Sequence, residues 1–373
     1  MNAKLMKAIG TLVGLTIGAG VLGIPYVVAH AGFLTGIFVI VFIGLIILLM
    51  NLYVGEITLR TKGVHQLPGY VEKYLGKTGK FFMSLAMMVI GYGAMTAYLI
   101  GEGEAWHAML GVSALYPMLI FFAIMAFAVH KGLKLIETLE VCLNCAVVGS
   151  ILLIVLLAVG AVDPSNYTGF DVTKILIPYG VVFFAFVGSA AIPDLRVELV
   201  KQRKLMKKAI IIGSLIPLLL YLLFAFVVVG VTGMDSTPVA TVGLGESIGG
   251  HMVLLGNFFA AFSMATSFLV LALALLWMYH YDYKMNKWLA LLLTLIIPLI
   301  IALSGVTSFI QVLAVTGSLA GGLEGILIIL THRAAQRNSE RKPEYTIRNP
   351  VLLSCALVLV YVIGVLYTIF TVF

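Results

Sequence analysis

Charge is what this sequence has least of. Only 10% of its 373 residues are Asp, Glu, Lys or Arg, against 62% hydrophobic, and the mean hydropathy is +1.13. A soluble domain needs about a quarter of its residues charged to cover its surface, so a soluble globular protein is excluded. No polar stretch is long enough for a separate soluble domain; the longest run from Arg60 to Lys80 and from Thr331 to Asn349. There is no G-x-x-x-x-G-K-[ST] loop, hence no sign of an ATP-driven pump. No nucleophile, base and metal ligands cluster at one depth, which argues against a membrane enzyme. Cysteine is scarce: three residues, two of them in Cys142-Leu143-Asn144-Cys145. That C-x-x-C lies in an apolar segment, and the seven histidines sit at span ends or in loops, so packing thiols are expected rather than a zinc site.

What the chain has in quantity is apolar runs, each long enough to cross a hydrocarbon core of about 30 Å. They predict an all-α polytopic membrane protein with eleven spans, near 6–30, 33–60, 80–110, 113–131, 135–162, 174–199, 206–233, 248–280, 286–305, 306–332 and 350–371. The first run is too long, and too many follow, for a cleaved signal peptide. With the N-terminus in the cytoplasm, all 23 Lys and Arg except Lys174 fall on cytoplasmic segments, as the positive-inside rule requires. The C-terminus is then extracytoplasmic. The net charge of +7 therefore reflects topology, and a nucleic-acid partner has no support; the partner is the lipid bilayer, in a plasma membrane.

Two spans carry helix-weakening residues. The first reads GLTIGAGVLGIPY (Gly14 to Tyr26) and the sixth FFAFVGSAAIPDL (Phe183 to Leu195). Aligning Pro25 with Pro193 sets an offset of 168 residues that carries each of the first five spans to within a few residues of the next five. Five is odd, so the second copy is inverted. This predicts a five-plus-five inverted repeat, 1–162 and 174–332, with an additional span at 350–373. Irregular backbone costs several kcal/mol per unpaired group if it faces lipid, so paired breaks imply a shared polar site. A half-helix starting at a break offers free N–H groups to a carboxylate; one ending there offers carbonyls to a cation or ammonium. The simpler alternative is that the glycines and prolines only permit close packing and kinks.

These two segments resemble those of the amino acid/auxin permease family and its aromatic amino acid permease relatives, of the amino acid–polyamine–organocation superfamily with the LeuT-type fold. The resemblance covers the whole chain. It implies secondary transport of amino acids by alternating access, driven by sodium or protons, with spans 1 and 6 unwound. It implies that Ile17, Gly18, Ala19 and Gly20 hold the substrate carboxylate and that carbonyls of Phe184, Ala185 and Phe186 meet the amine. Phe186 and Val187 would flank the side chain, Ser189 would offer a hydroxyl, and Tyr92 would close over the carboxylate; the alternative is that Tyr92 and Tyr98 are packing or interfacial aromatics. No charged residue lies at either break in the sequence, so neutral substrates are expected.

In sodium-coupled members of the fold a cation sits between the first break and a Ser/Thr pattern in the eighth span. Ser263, Thr266 and Ser267 match it, with carbonyls of Gly14 and Ile17 completing five oxygens, a set that suits a hard cation; ordinary hydroxyl-to-helix bonding is the alternative. Proton-coupled relatives use a lysine in the fifth span. Here only Lys134 stands at its cytoplasmic end and Asn144 is the most polar interior residue, so sodium is favoured. No other cofactor is implied. Glu324, the one acid well inside the tenth span, is either a functional carboxylate or a wet structural one. Glu56, Glu102 and Glu104, near span ends, are expected to be solvated. Asp194, Arg196 and Glu198 are read as either a gate of ion pairs or a charged interface. A rival function, an amino-acid sensor of the same fold without net transport, would bind substrate and not accumulate it.

Overall fold

The structure, a computed structural model, describes residues 3–131, 147–249 and 251–372, and every regular element among them is helical. Chain order is α1 (Ala3–Thr16), α2 (Ile24–Ala31), α3 (Phe33–Arg60), α4 (Leu67–Leu110), α5 (Leu115–Lys131), α6 (Val147–Ala161), α7 (Tyr179–Ala185), α8 (Ile192–Glu198), α9 (Met206–Thr232), α10 (Ala240–Ile248), α11 (His251–Trp277), α12 (Lys287–Leu303), α13 (Phe309–Val315), α14 (Gly321–Arg337) and α15 (Val351–Val372). Seven helical segments among the described residues are long and apolar enough to cross a membrane, eight when α1 and α2, bent by 48° at their junction, are taken as one span. Three shorter apolar helices, α5, α6 and α12, accompany them. The expected fifth span lies partly outside the described residues, and so do Lys134, Cys142, Asn144 and Cys145.

Local chemistry explains where the helices stop. Gly18 is extended (φ −111°, ψ −163°) and ends α1. Pro25 sits in the first turn of α2 and Pro193 in the first turn of α8, where a missing N–H costs nothing. Ile24 and Ile192, which begin these two helices, are related by the 168-residue offset. The two breaks differ in shape: Tyr179–Glu198, which joins α7 and α8, counts as one span without a bend above 40°, whereas α1 and α2 bend by 48°. A second correspondence was not legible in the sequence. Gly76 interrupts α4 at φ 71°, ψ −169°, and Gly249 separates α10 from α11 at φ 72°, ψ −166°. Both need the positive φ that glycine adopts without a Cβ penalty. The spans expected to begin near 80 and 248 are thus each preceded by a shorter helical piece.

The core is one continuous apolar cluster. α9 packs along α1, α2 and α3, and α4 packs along α11, α12, α13 and α14. On the side expected to be cytoplasmic, the 338–350 linker straps across the end of α3. Glu340 and Arg341 amides donate to Arg60 O at 3.1 and 3.2 Å, and Tyr345 Oη donates to Leu52 O at 2.7 Å. Lys73 Nζ lies 2.7 Å from Glu340, and its hydrogen bond holds that carboxyl below the usual carboxylate range. The expectation that Glu56 and Glu102 are solvated is corrected here. Glu56 is fully buried and accepts from His332 (3.0 Å), Arg60 Nε (2.7 Å) and the Ile347 amide (2.6 Å). Glu102 is also buried and accepts from Trp106 Nε1 at 3.0 Å. The strap covers Glu56 through Ile347, and Trp106, one turn further along α4, covers Glu102.

Candidate substrate and cation site at two helix breaks

At the first break the amide of Gly18 turns back to Thr16 O (3.0 Å) instead of reaching Gly14 O. The Gly14 carbonyl therefore loses its helical donor. A 3₁₀ turn follows at Ala19–Gly23. Its first two amides, Ala19 and Gly20, have no backbone acceptor among the described residues. Ile17, just before the break, is buried and its amide still bonds Val13 O at 2.8 Å.

At the second break α7 ends at Ala185. Phe186 and Val187 close the last turn through amide bonds to Phe183 O (3.2 Å) and Phe184 O (3.1 Å). Gly188 leaves the helical region (φ −157°, ψ 3°), and a 3₁₀ turn runs Ser189–Ala191. The two breaks touch: a Cβ at Gly20 would lie 2.8 Å from Ala185 Cα and 3.1 Å from Phe184 Cδ1. Only glycine permits this approach.

Tyr221 of α9 joins the two. Its hydroxyl lies 2.9 Å from Thr16 O and 2.8 Å from Ala185 O, the last helical carbonyls of α1 and α7. It is fully buried, with its ring 4.9 Å from that of Phe186. Sequence reasoning missed Tyr221. The available signal was a lone phenol inside LIPLLLYLLFAF, since a hydroxyl at that depth must find an acceptor.

The hydroxyl-bearing helix α11 meets the first break. A Cβ at Gly18 would lie 2.9 Å from Ser267 Oγ and 3.6 Å from Tyr98 Oη. Ser263 Oγ is buried without a hydrogen-bond partner. Thr266 Oγ1 bonds its own helix at Ser263 O, 3.0 Å away, which is the ordinary alternative for that residue. Tyr92 of α4 is engaged elsewhere: its hydroxyl is 2.5 Å from that of Tyr279. Tyr98, given only a packing or interfacial role from the sequence, is the α4 tyrosine beside Gly18.

The premise that no charged residue reaches either break is corrected. α14 brings the buried Glu324 to the second break, where Ser189 Oγ donates to its carboxylate. Below the breaks, Arg196 of α8 donates to Gly63 O, to Tyr70 Oη at 2.6 Å and to Thr61 O at 2.8 Å. Glu198 pairs with Lys7 at 3.5 Å and accepts from Thr11 at 3.1 Å. Arg196 therefore grips the α3–α4 turn rather than an acid, and Glu198 ties α8 to α1.

A bundle of apolar helices with two touching breaks is the architecture of LeuT-type membrane transporters. The crystal structure of MhsT in complex with L-phenylalanine has this fold, with a TM-score of 0.65 at 15% identity, covering 99% of this chain and 98% of that one. The chain belongs to the tryptophan/tyrosine permease family, whose model it matches over residues 1–371. Relatives include tyrosine-specific transport system 1 of Haemophilus influenzae, 26% identical over 97% of this chain and 96% of the relative. Glutamine transporter 2 of Aliivibrio fischeri is 25% identical over 85% of each chain.

Proposed function

We propose that the protein is a secondary active transporter that moves neutral amino acids across the plasma membrane together with a cation, sodium in preference to protons. The observation that carries this is the free pair of amides at Ala19 and Gly20, facing the end of α7 across a contact only glycine allows. Those amides suit a carboxylate. Carbonyls at the end of α7 suit the ammonium group, and Phe184, Phe186 and Val187 suit an apolar side chain. The released Gly14 carbonyl, the unpartnered Ser263 hydroxyl and Ser267 beside Gly18 fit a hard cation's oxygen shell; Ile17 O and Thr266 Oγ1 would complete it.

In this reading the chain crosses the bilayer eleven times, with the N-terminus cytoplasmic and the C-terminus outside. Residues 1–162 and 174–332 form the inverted repeats, 350–373 form the additional span, and the breaks sit at the midplane. Relatives named for tyrosine and glutamine transport and a structural neighbour holding phenylalanine agree with a neutral substrate.

The test is counterflow in proteoliposomes with tyrosine, tryptophan, phenylalanine, glutamine and lysine, each with sodium or choline. Sodium-stimulated exchange of at least one neutral amino acid is expected. Exchange of none would overturn the transport reading. Lysine exceeding the neutral set would overturn the neutral preference, with Glu324 as the cause.

A further inference from the structure

Behind the second break lies a cavity of about 20 Å³, room for about one water. Its polar lining comes from Asn51 of α3, Ser189, Glu324 of α14 and Tyr361 of α15, and no Lys, Arg or His contributes. The last helix thus closes a polar site.

Its hydrogen-bonding groups are incompletely matched. The Ser189 hydroxyl is given to Glu324. Asn51 Nδ2 is given to Ser214 Oγ at 3.1 Å, and Asn51 Oδ1 has no donor, although Asn51 is 98% buried, at 2% exposure. The Tyr361 hydroxyl has no partner and no exposure. Surrounding ionisable groups are committed or lie outside the cavity. On α14, His332 belongs to Glu56. On α3, Tyr53 stacks on His332 at 4.0 Å. On α8, Arg196 is held by the α3–α4 turn, and Asp194 is exposed. On α7, Tyr179 packs toward α15 at Gly364. A carboxylate without a basic neighbour in an apolar interior is costly. A proton on Glu324 removes that charge and adds an O–H donor to the cavity wall that also carries the undonated Asn51 Oδ1.

We propose that Glu324 is a proton-binding site that controls the second break. Ionised, it accepts a charge-assisted bond from Ser189 and pins the Ser189–Ala191 turn against α14. Protonated, by one proton taken from water, it turns its O–H to Asn51 and holds Ser189 more weakly, since bonds to an ionised group are about twice as strong. Acid therefore loosens the break. The purpose of this device rests on the transporter reading, but its test does not: hydrogen exchange is measured without amino acid, so failed counterflow overturns that reading and leaves this one standing.

The measurement is hydrogen exchange of peptides covering 186–198 in the full chain in nanodiscs, at about pH 5.5 and about pH 8, corrected for intrinsic rates. A difference of one pKa unit between the two states of the break makes the wild type exchange about tenfold faster in acid. Glu324→Gln, which keeps the shape of the protonated form, is expected to exchange at the fast rate at both pH values. Ser189→Ala should do the same while leaving the Glu324 carboxyl band titrating in infrared difference spectra. Equal protection of the wild type at both pH values would overturn the proposal, as would pH dependence surviving in either variant. Protection at fixed pH that follows sodium instead would also overturn it, by showing that the cavity takes a metal cation. If Glu324→Gln does not fold, Ser189→Ala decides alone.

Discussion

At the scale of single residues, the site depends on groups whose replacement has a definite geometric consequence. Gly20 faces Ala185 Cα at a distance that admits no Cβ. Forcing one in costs about 1–3 kcal/mol of strain and separates the breaks. Gly20→Ala is expected to weaken amino-acid binding at least about tenfold, and Gly20→Val to abolish it. Gly10→Ala, which meets nothing within 4 Å, is the control. Scintillation proximity binding checks this, and unchanged affinity in Gly20→Val would remove the site. Tyr221→Phe leaves Thr16 O and Ala185 O without their shared donor. About 1–3 kcal/mol is expected to be lost, seen as a lowered melting temperature of the purified protein, with weaker binding because the breaks are no longer tied. For the cation, Ser263→Ala and Thr266→Val are expected to raise the sodium concentration for half-maximal stimulation by about tenfold each, roughly 1.4 kcal/mol per lost oxygen. Sodium stimulation preserved in both would favour protons.

At the scale of elements, interruptions were more legible than contacts. The glycine and proline pattern located both breaks, since backbone propensity is local. It did not distinguish the sharply bent α1–α2 pair from the less bent α7–α8 pair, because direction is set by what each half packs against. It also missed α10 and the piece of α4 before Gly76, which are short and weakly apolar. The 338–350 strap belongs to a stretch that is polar in sequence, yet it buries Glu56 and docks Tyr345 on α3. Its outer tether is the Lys73–Glu340 pair, where the depressed Glu340 pKa sets the sign. The tether is present above the ordinary carboxylate range and lost only as pH falls through the lowered value. Limited proteolysis is expected to leave 338–350 intact at neutral pH and to cut it in strong acid. Glu340→Gln should be cut at neutral pH. An equally resistant variant would show that Glu340 does not hold the strap.

At the scale of the whole molecule, the proposed orientation rests on charge. In a cysteine-free background, Lys174→Cys is expected to react with a membrane-impermeant maleimide added outside intact cells, and Lys201→Cys only after permeabilisation. The reverse pattern would invert the proposed topology.

By itself the sequence determined the apolar lengths, the clustering of its basic residues between alternate apolar runs, the two weak points and their 168-residue relation. Each of these is a property of composition or spacing along the chain. Only the tertiary structure decided which polar groups satisfy one another: Tyr221 with Thr16 and Ala185, Ser189 with Glu324, Glu56 with His332. Inside an apolar bundle every donor must find an acceptor, but the match is made across gaps of 36 to 276 residues by helix packing. No local pattern along the chain specifies it.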